Sequence, residues 1–288
     1  MRVLVTGANG FIGRHVMRAF PPGVEVLSQT HADILSGGCI RPDVVINLAW
    51  PPCDYESRQK PQVQQAGTDF ACRLWSLCSN RGVKFVGIGS QAEITTPDTP
   101  YAVAKRKTRT LLRLACNTAG MPFAWVRVFS VYGPGDCPNT FISYVARELM
   151  AGISPSLTDQ DVPWDFLHVT DAARAIAAVA LSDAVGDFDL GSGQQIGTKE
   201  VARLLQAKIA PFVPLGFGHR PARTVEVSAL KADISRLQAL GWSPQIGISE
   251  GLDTLPIANQ PQAAIKPKHR TDRSHGTHEY NQRQPVFS

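Results

Sequence analysis

Val3-Leu4-Val5-Thr6-Gly7-Ala8-Asn9-Gly10-Phe11-Ile12-Gly13 reads as a short apolar strand that runs into a turn and then into a helix. The glycines at 7, 10 and 13 meet separate needs. One permits a tight turn, the next lets backbone come close to a pyrophosphate, and the third lets helix pack on strand. The helix N-terminus that follows turns unpaired N–H groups and a partial positive charge towards an anion. Gly7, Asn9, Gly10, Phe11 and Ile12 are therefore the first candidates for holding a dinucleotide.

Outward from that turn, β-branched runs at 3–5, 24–27, 44–48, 83–87 and 123–128 alternate with amphipathic stretches at 11–20, 61–80 and 101–119. Such alternation implies βαβ units and a parallel sheet covered on both faces, an α/β fold. The interval 24–44 is short for a strand, a helix and a return, so one crossover is expected to be a loop. After residue 131 the character changes. Gly133-Pro134-Gly135-Asp136 leads to a helical stretch near 141–151, a strand at 165–169 and an Ala-rich helix at 172–181. A strand at 188–190, a helix at 198–207, a strand near 224–227 and a last helical piece at 234–240, closed by Gly241, complete the pattern. This half is expected to be smaller and built on loops. From 257 onward apolar periodicity fades, and His269, His275 and His278 fall among Gln, Pro and Lys, so a disordered tail with solvated histidines and no metal site is expected.

At 288 residues the chain is about twice a typical domain length. Its 43% hydrophobic and 18% charged residues argue against a largely disordered protein. The net charge of +5 is concentrated at the end: Lys266, Lys268, Arg270, Arg273 and Arg283 face only Asp272 and Glu279 in 257–288, leaving +2 for the body. A nucleic-acid stripe is therefore not expected, and the one basic cluster, Lys105-Arg106-Lys107 with Arg109 and Arg113, lies on a helix where Lys105 has another use. Cys39, Cys53, Cys72, Cys78, Cys116 and Cys137 form no CxxC pair and read as free thiols of a reducing compartment. The chain enters its first strand at once and shows no apolar run of about 18 residues, so neither signal peptide nor membrane span is expected and the location is read as cytoplasmic.

Tyr101 and Lys105 stand four apart on a helix preceded by Pro100, and so project from one face. An ammonium beside a phenol favours the phenolate and lowers its pKa from about 10, which makes Tyr101 a usable acid or base. The pair is read as following the region of the fifth strand. Ser90 ends the run Gly87-Ile88-Gly89-Ser90, where parallel sheets carry ligand-facing groups. The second strand ends Ser28-Gln29-Thr30 without the acid that would accept from the 2′-hydroxyl of NAD. That favours NADP(H), with Arg14 and His31 placed to help hold a 2′-phosphate, and leaves NAD(H) open. Thr30, Asp33 and Ile34 fall where an adenine contact is expected.

Taken in order, the glycine turn, Asn47-Leu48-Ala49, Ser90, Tyr101 with Lys105, Arg127-Val128-Phe129-Ser130-Val131-Tyr132-Gly133-Pro134-Gly135, Trp164-Asp165-Phe166-Leu167-His168 and Leu240-Gly241-Trp242-Ser243-Pro244 resemble the extended short-chain dehydrogenase/reductase family over about residues 1–256. The resemblance implies a Rossmann-type doubly wound parallel sheet with a smaller C-terminal substrate-binding lobe. The dinucleotide domain would be 1–133 with about 163–192, the lobe 134–162 with 193–256, and 257–288 the tail. It implies hydride transfer between a nicotinamide and a sugar carbon, with Tyr101 moving the proton, Lys105 holding the nicotinamide ribose and Ser90 bonding the reacting oxygen. Leu48, Ala49 and Phe129 would complete the cofactor site, and a homodimer pairing the Tyr101 helix with the helix before it is implied as well.

Departures from the family pattern narrow the reaction. Dehydratases of the family carry an Asp-Glu pair after the Ser/Thr position, where this chain has Gln91 and Ala92, so dehydration is disfavoured. Reduction of a 4-keto-6-deoxy nucleotide sugar is the favoured activity, C4 epimerisation over a tightly held NAD is the alternative, and a non-catalytic NAD(P)-binding regulator is the reading from another class. Trp164 stands where an arginine usually contacts the sugar-nucleotide diphosphate, and Ser130 where an asparagine is usual. Arg220, ahead of Pro221, would carry more of the anion, with Gln91, Asn139 and Phe141 facing the nucleotide sugar.

Overall fold

The computed structural model describes residues 1–36, 41–52, 54–80, 82–96, 98–221 and 230–256, the side chains of His31 and Leu35 excepted. Its first half is β1 (Arg2–Thr6), α1 (Phe11–Val16), β2 (Glu25–Gln29), α2 (His31–Leu35), β3 (Val44–Asn47), α3 (Tyr55–Arg58), α4 (Pro61–Cys78), β4 (Lys84–Ser90), α5 (Ala92–Thr95), α6 (Pro100–Ala119) and β5 (Phe123–Val128). The second half is β6 (Ser130–Tyr132), α7 (Phe141–Met150), β7 (Ser156–Leu157), β8 (Pro163–Trp164), β9 (Phe166–His168), α8 (Val169–Leu181), β10 (Gly186–Leu190), β11 (Ile196–Gly197), α9 (Thr198–Ile209), β12 (Gly216–Phe217), α10 (Ser235–Gln238) and α11 (Ile248–Asp253).

One six-stranded sheet, ordered β10-β5-β4-β3-β1-β2 and parallel throughout, organises the chain. Successive residues of a strand face opposite sides, so β1 sends Val3 and Val5 to one core and Leu4 to the other. On the first face they meet Val44, Ile46, Val86 and Val126 under α1 and α8, and on the second Val45, Phe85 and Trp125 under α4 and α6. Both faces are covered, and the strands are accordingly apolar runs rather than alternating ones. Gly87 and Gly89 leave the space that the Trp125 indole fills.

The 24–44 crossover is not a bare loop. A single helical turn, α2, sits in it, capped by Thr30, whose hydroxyl accepts from the Asp33 N–H while the Asp33 carboxylate accepts from the Thr30 N–H. α1 is shorter than the 11–20 expected, because Arg18 and Ala19 tighten onto the carbonyls of His15 and Val16 three residues back. The helix with Tyr101 follows the fourth strand, not a fifth, since only β1, β2, β3 and β4 precede α6. The strand expected near 224–227 and the tail 257–288 lie outside the described residues.

Beyond β5 the chain builds a third core from Tyr132, Phe141, Val145, Leu149, Trp164, Phe166, Val201 and Leu205, with α7 and α9 around it. Between visits to this core it returns to the sheet: α8 packs into the first core and β10 adds the edge strand beside β5.

Candidate active site

β1 and β3 are neighbours, while the chain passes from β1 to β2 on the other side, so the carboxyl ends of β1 and β3 form a topological switch point where a crevice opens. Gly7 lies there with φ +71°, and a Cβ on it would stand 2.7 Å from the Ala49 N and 2.8 Å from the Leu48 carbonyl carbon. A Cβ on Gly13 would run into the Gly7 carbonyl oxygen and lie 2.9 Å from the Ala8 Cα. Glycine is thus required twice, once for a left-handed backbone and once for helix-to-turn packing. Thr6 fastens the two strand ends: its hydroxyl donates to the Asn47 Oδ1 at 2.8 Å and accepts from the Ala49 N–H at 3.3 Å. Gly10 precedes α1 as its N-cap, and Asn9 and Gly10 are exposed above it, with Phe11 and Ile12 half-buried. This cradle, which a Cβ would fill, fits a dinucleotide pyrophosphate.

The remaining cofactor candidates fall unevenly. The Asp33 carboxylate is committed to the α2 cap, and the Thr30 bonds that tie it there hold it below the usual carboxylate range. Ile34 is fully buried in the second core with Leu4 and Phe70. Phe129 is buried against Leu230 and Ala232. Arg14 donates to the Gly10 carbonyl at 3.3 Å and lies against Gly135, so it joins α1 to the Gly133-Pro134-Gly135 turn. The His31 side chain is outside the described residues.

Ser90, Tyr101 and Lys105 come together at the carboxyl end of β4. α6 is started by Thr99, whose hydroxyl accepts from the Ala102 N–H, with Pro100 in the first turn, and is ended by Gly120 in the left-handed region. Its inward face buries Tyr101 and Lys105 with Ala102 and Ala104. The Lys105 Nζ donates to the Ile88 carbonyl of β4 at 2.9 Å, two residues from Ser90, and lies 5.8 Å from the Tyr101 ring centroid. Ser90 is held at both ends: its Oγ accepts from the Ala92 N–H at 3.2 Å, and its own N–H donates to the Glu93 Oε1 at 2.9 Å.

Glu93 escaped the sequence reading, although Ser90-Gln91-Ala92-Glu93 has the Ser-x-x-Glu spacing of a capping box. Buried at 4% exposure, it also accepts from the Trp125 indole at 3.1 Å and stands 3.8 Å from Arg109, which keeps a carboxylate tolerable there. Gln91, Ser130 and Trp164, candidates from distant parts of the chain, do meet. The Gln91 amide donates to the Ser130 Oγ at 3.2 Å, and the Trp164 indole donates to the same oxygen. Phe141 and Arg220 fall instead at the third core: Phe141 stacks on Phe166, and the Arg220 guanidinium lies 5.4 Å from the Tyr144 ring centroid. Asn139 is half-buried just ahead of α7.

Asp136 is a half-buried carboxyl that accepts from the Thr140 hydroxyl and the Cys137 N–H, both at 2.6 Å, and its partial desolvation pushes its pKa up to about 6. The described cysteines, Cys72, Cys78, Cys116 and Cys137, are free thiols, and burial pushes Cys116 up to about 12. Among the described residues no helix is long and apolar enough to cross a membrane.

The model of the NAD dependent epimerase/dehydratase family matches residues 3–191. CDP-abequose synthase of Salmonella typhimurium is 23% identical over 294 residues, spanning 88% of this chain and 96% of that protein. GDP-6-deoxy-D-mannose reductase of Pseudomonas aeruginosa is 28% identical, spanning 87% and 94%. The structure of RMD from Pseudomonas aeruginosa complexed with NADPH superposes with a TM-score of 0.77 at 26% identity, covering 88% of this chain and 96% of that one.

Proposed function

The chain belongs to the NAD-dependent epimerase/dehydratase family, an enzyme family of the extended short-chain dehydrogenase/reductase type, and from that premise we propose that it reduces a 4-keto-6-deoxy nucleotide sugar. The observation that carries the reading is the convergence of Ser90, Tyr101 and Lys105 on one strand end beside the glycine turn, with Gln91 in place of a dehydratase acid. NADP(H) is the proposed cofactor, favoured because β2 ends in Gln29 without an acid at its tip. Gly7, Asn9, Gly10, Phe11 and Ile12 would hold its pyrophosphate, and when bound it supplies the hydride that goes to C4.

The work left to the chain is to handle the oxygen. As C4 is reduced the carbonyl oxygen gains negative charge, and the Tyr101 hydroxyl gives it a proton. The Ser90 hydroxyl donates to the same oxygen, its position set from below by Glu93 and Ala92. Lys105 favours the phenolate left on Tyr101 and is the residue to hold the nicotinamide ribose. The nucleotide-sugar anion falls to the lobe, where Arg220 is the proposed diphosphate contact and Asn139 and Phe141 the neighbouring wall. On this reading 1–133 with 163–192 is the cofactor body and 134–162 with 193–256 the substrate lobe. The outward face of α6 supports a homodimer, since Val103, Leu111 and Leu114 are exposed on it at helical spacing.

The test is to titrate the purified protein with NADPH and NADH by fluorescence and then add a panel of 4-keto-6-deoxy nucleotide sugars while following nicotinamide absorbance. Exchangeable NADPH binding with oxidation by one sugar is the expected result, and Tyr101→Phe is expected to bind NADPH while turnover falls by about 10²-fold or more. Tightly co-purifying NAD with no net oxidation would overturn reduction in favour of epimerisation.

A further inference from the structure

The residue after Asn47-Leu48-Ala49 is Trp50, and the structure gathers three other side chains on its indole. The Lys105 Nζ sits 3.6 Å from the Trp50 ring centroid, well inside the range at which an ammonium is attracted by an aromatic face. The Tyr101 ring meets the same indole edge-on, with centroids 6.4 Å apart and planes at 82°. On the far side the Trp50 Nε1 donates to the Gln64 Oε1 at 2.8 Å, and the Gln64 amide in turn donates to the Ser57 carbonyl at 2.8 Å. Gln64, at the middle of this chain of bonds, is fully buried, and its two hydrogen bonds fix the plane of the indole.

Space for the ring comes from α4. Gly67 lies inside that 18-residue helix, where glycine is disfavoured, and a Cβ there would stand 2.8 Å from the Trp50 Cε2 and from the Pro51 Cδ. A helix interior that accepts glycine at the point where it touches an indole is built to receive it. Two cations meet the Tyr101 ring in this arrangement, Lys105 from its own helix and Arg58, whose guanidinium carbon is 4.6 Å from the ring centroid, from α3.

We propose that Trp50 is the positioning residue of the active site: its face holds the Lys105 ammonium, and its edge the Tyr101 ring, in the arrangement that proton transfer uses. Gln64 and Gly67 set the indole itself. This rests on the assignment of Tyr101 and Lys105 as the catalytic pair, and it concerns a residue that acts through them and need not touch substrate. It explains why Lys105 stands over Trp50 while bonded to Ile88, since an ammonium with one proton on a carbonyl and its charge over an indole has little freedom left to wander.

The experiment uses the full chain and needs no sugar. The phenol of Tyr101 is titrated by ultraviolet difference absorbance, taking Tyr101→Phe as the blank, and NADPH affinity is measured on the same samples by fluorescence. Trp50→Leu is expected to move the Tyr101 transition upward by about one unit, as the ammonium loses its seat, and to weaken NADPH binding several-fold. Trp50→Phe, which keeps an aromatic face, is expected to restore most of both, and Gly67→Ala, which leaves all three side chains in the protein but crowds the indole, to reproduce the upward shift in smaller measure. If the Leu and Ala variants lose thermal stability while Tyr101 titrates and NADPH binds as in the native chain, Trp50 is only packing and the proposal falls. Should no sugar be reduced although these shifts occur, the reductase reading fails and the positioning role stands.

Discussion

The six-stranded sheet and the loops of the second half are held together by different physics, and the difference shows in what each tolerates. Around the sheet, parallel ladders satisfy the backbone and apolar residues fill both faces, so the tight places are steric: Gly7 against Ala49, Gly13 against Gly7, Gly87 against Trp125. In the second half the strands are two or three residues long apart from β10, and buried carboxylates take over the work of ladders. Asp165, fully buried, accepts from the N–H groups of Ser192, Gly193 and Ala232 and from the Ser192 hydroxyl. Asp171, also fully buried, accepts from the N–H groups of Gln245 and Ile246 and pairs with Arg174. One region is vulnerable to an added methyl, the other to a lost oxygen. A loop can be ordered without a ladder if a single anion collects its N–H groups, because a charged acceptor makes stronger bonds than a neutral one.

The sharpest way to break this contrast is to remove the hub. Asp165→Ala leaves three N–H groups, one of them buried, without their acceptor and is expected to cost about 4 kcal/mol, read as a lower urea midpoint, whereas a loss under about 1 kcal/mol would mean that the loops carry themselves. The steric counterpart is Gly13→Ala. Forcing a methyl into the Gly7 carbonyl is expected to cost about 2 kcal/mol and to weaken NADPH binding tenfold or more by tilting α1 away from the turn.

Asp136, half-buried, tests whether every hydrogen-bonded carboxylate of the second half is a net stabiliser. Its folded pKa of about 6 lies above the ordinary 3.8, so the native state holds the proton more tightly than the unfolded chain, and stability is expected to fall as pH rises from about 4 through 6. Asp136→Asn should abolish that slope and raise stability at pH 7 by on the order of 2 kcal/mol in thermal unfolding. An unchanged slope would assign it elsewhere.

Lys84 is the sheet's own polar tie, its ammonium donating to the Val179 and Ser182 carbonyls at the end of α8, and burial lowers it to about 8 from 10.5. Here the unfolded chain binds the proton more tightly, so native stability should rise between pH 8 and 10.5. Lys84→Met is expected to flatten that rise and to cost only about 1 kcal/mol at pH 7, because apolar packing already joins α8 to the sheet. A loss as large as that at Asp165 would erase the distinction between the two regions.

How much of this could be read beforehand follows from distance along the chain. Gly7, Gly10 and Gly13, and Tyr101 with Lys105, are local patterns whose spacing alone sets their geometry, and the β-branched runs of the sheet are local too. Trp50 and Gln64 are separated by 14 residues, Gln91 and Ser130 by 39, and Asp165 and Ala232 by 67. Nothing in the neighbourhood of any of these residues announces its partner. Glu93 is the instructive exception, since its spacing to Ser90 was visible and its carboxylate does what that spacing suggests. The crossover after β2 shows the converse: its shortness was evident, but the capped turn within it depends on Thr30 and Asp33 folding back on one another.

The sequence by itself determined the α/β order of the first half, the glycine turn and the placing of Tyr101 and Lys105 on one helix face, because period, turn chemistry and helical spacing act within a few residues. Tertiary structure decided which lone Trp, Gln and Asp became parts of the candidate site or hubs of the second half. Burial strengthens a bond only once packing has excluded water, and packing joins residues that the chain keeps far apart.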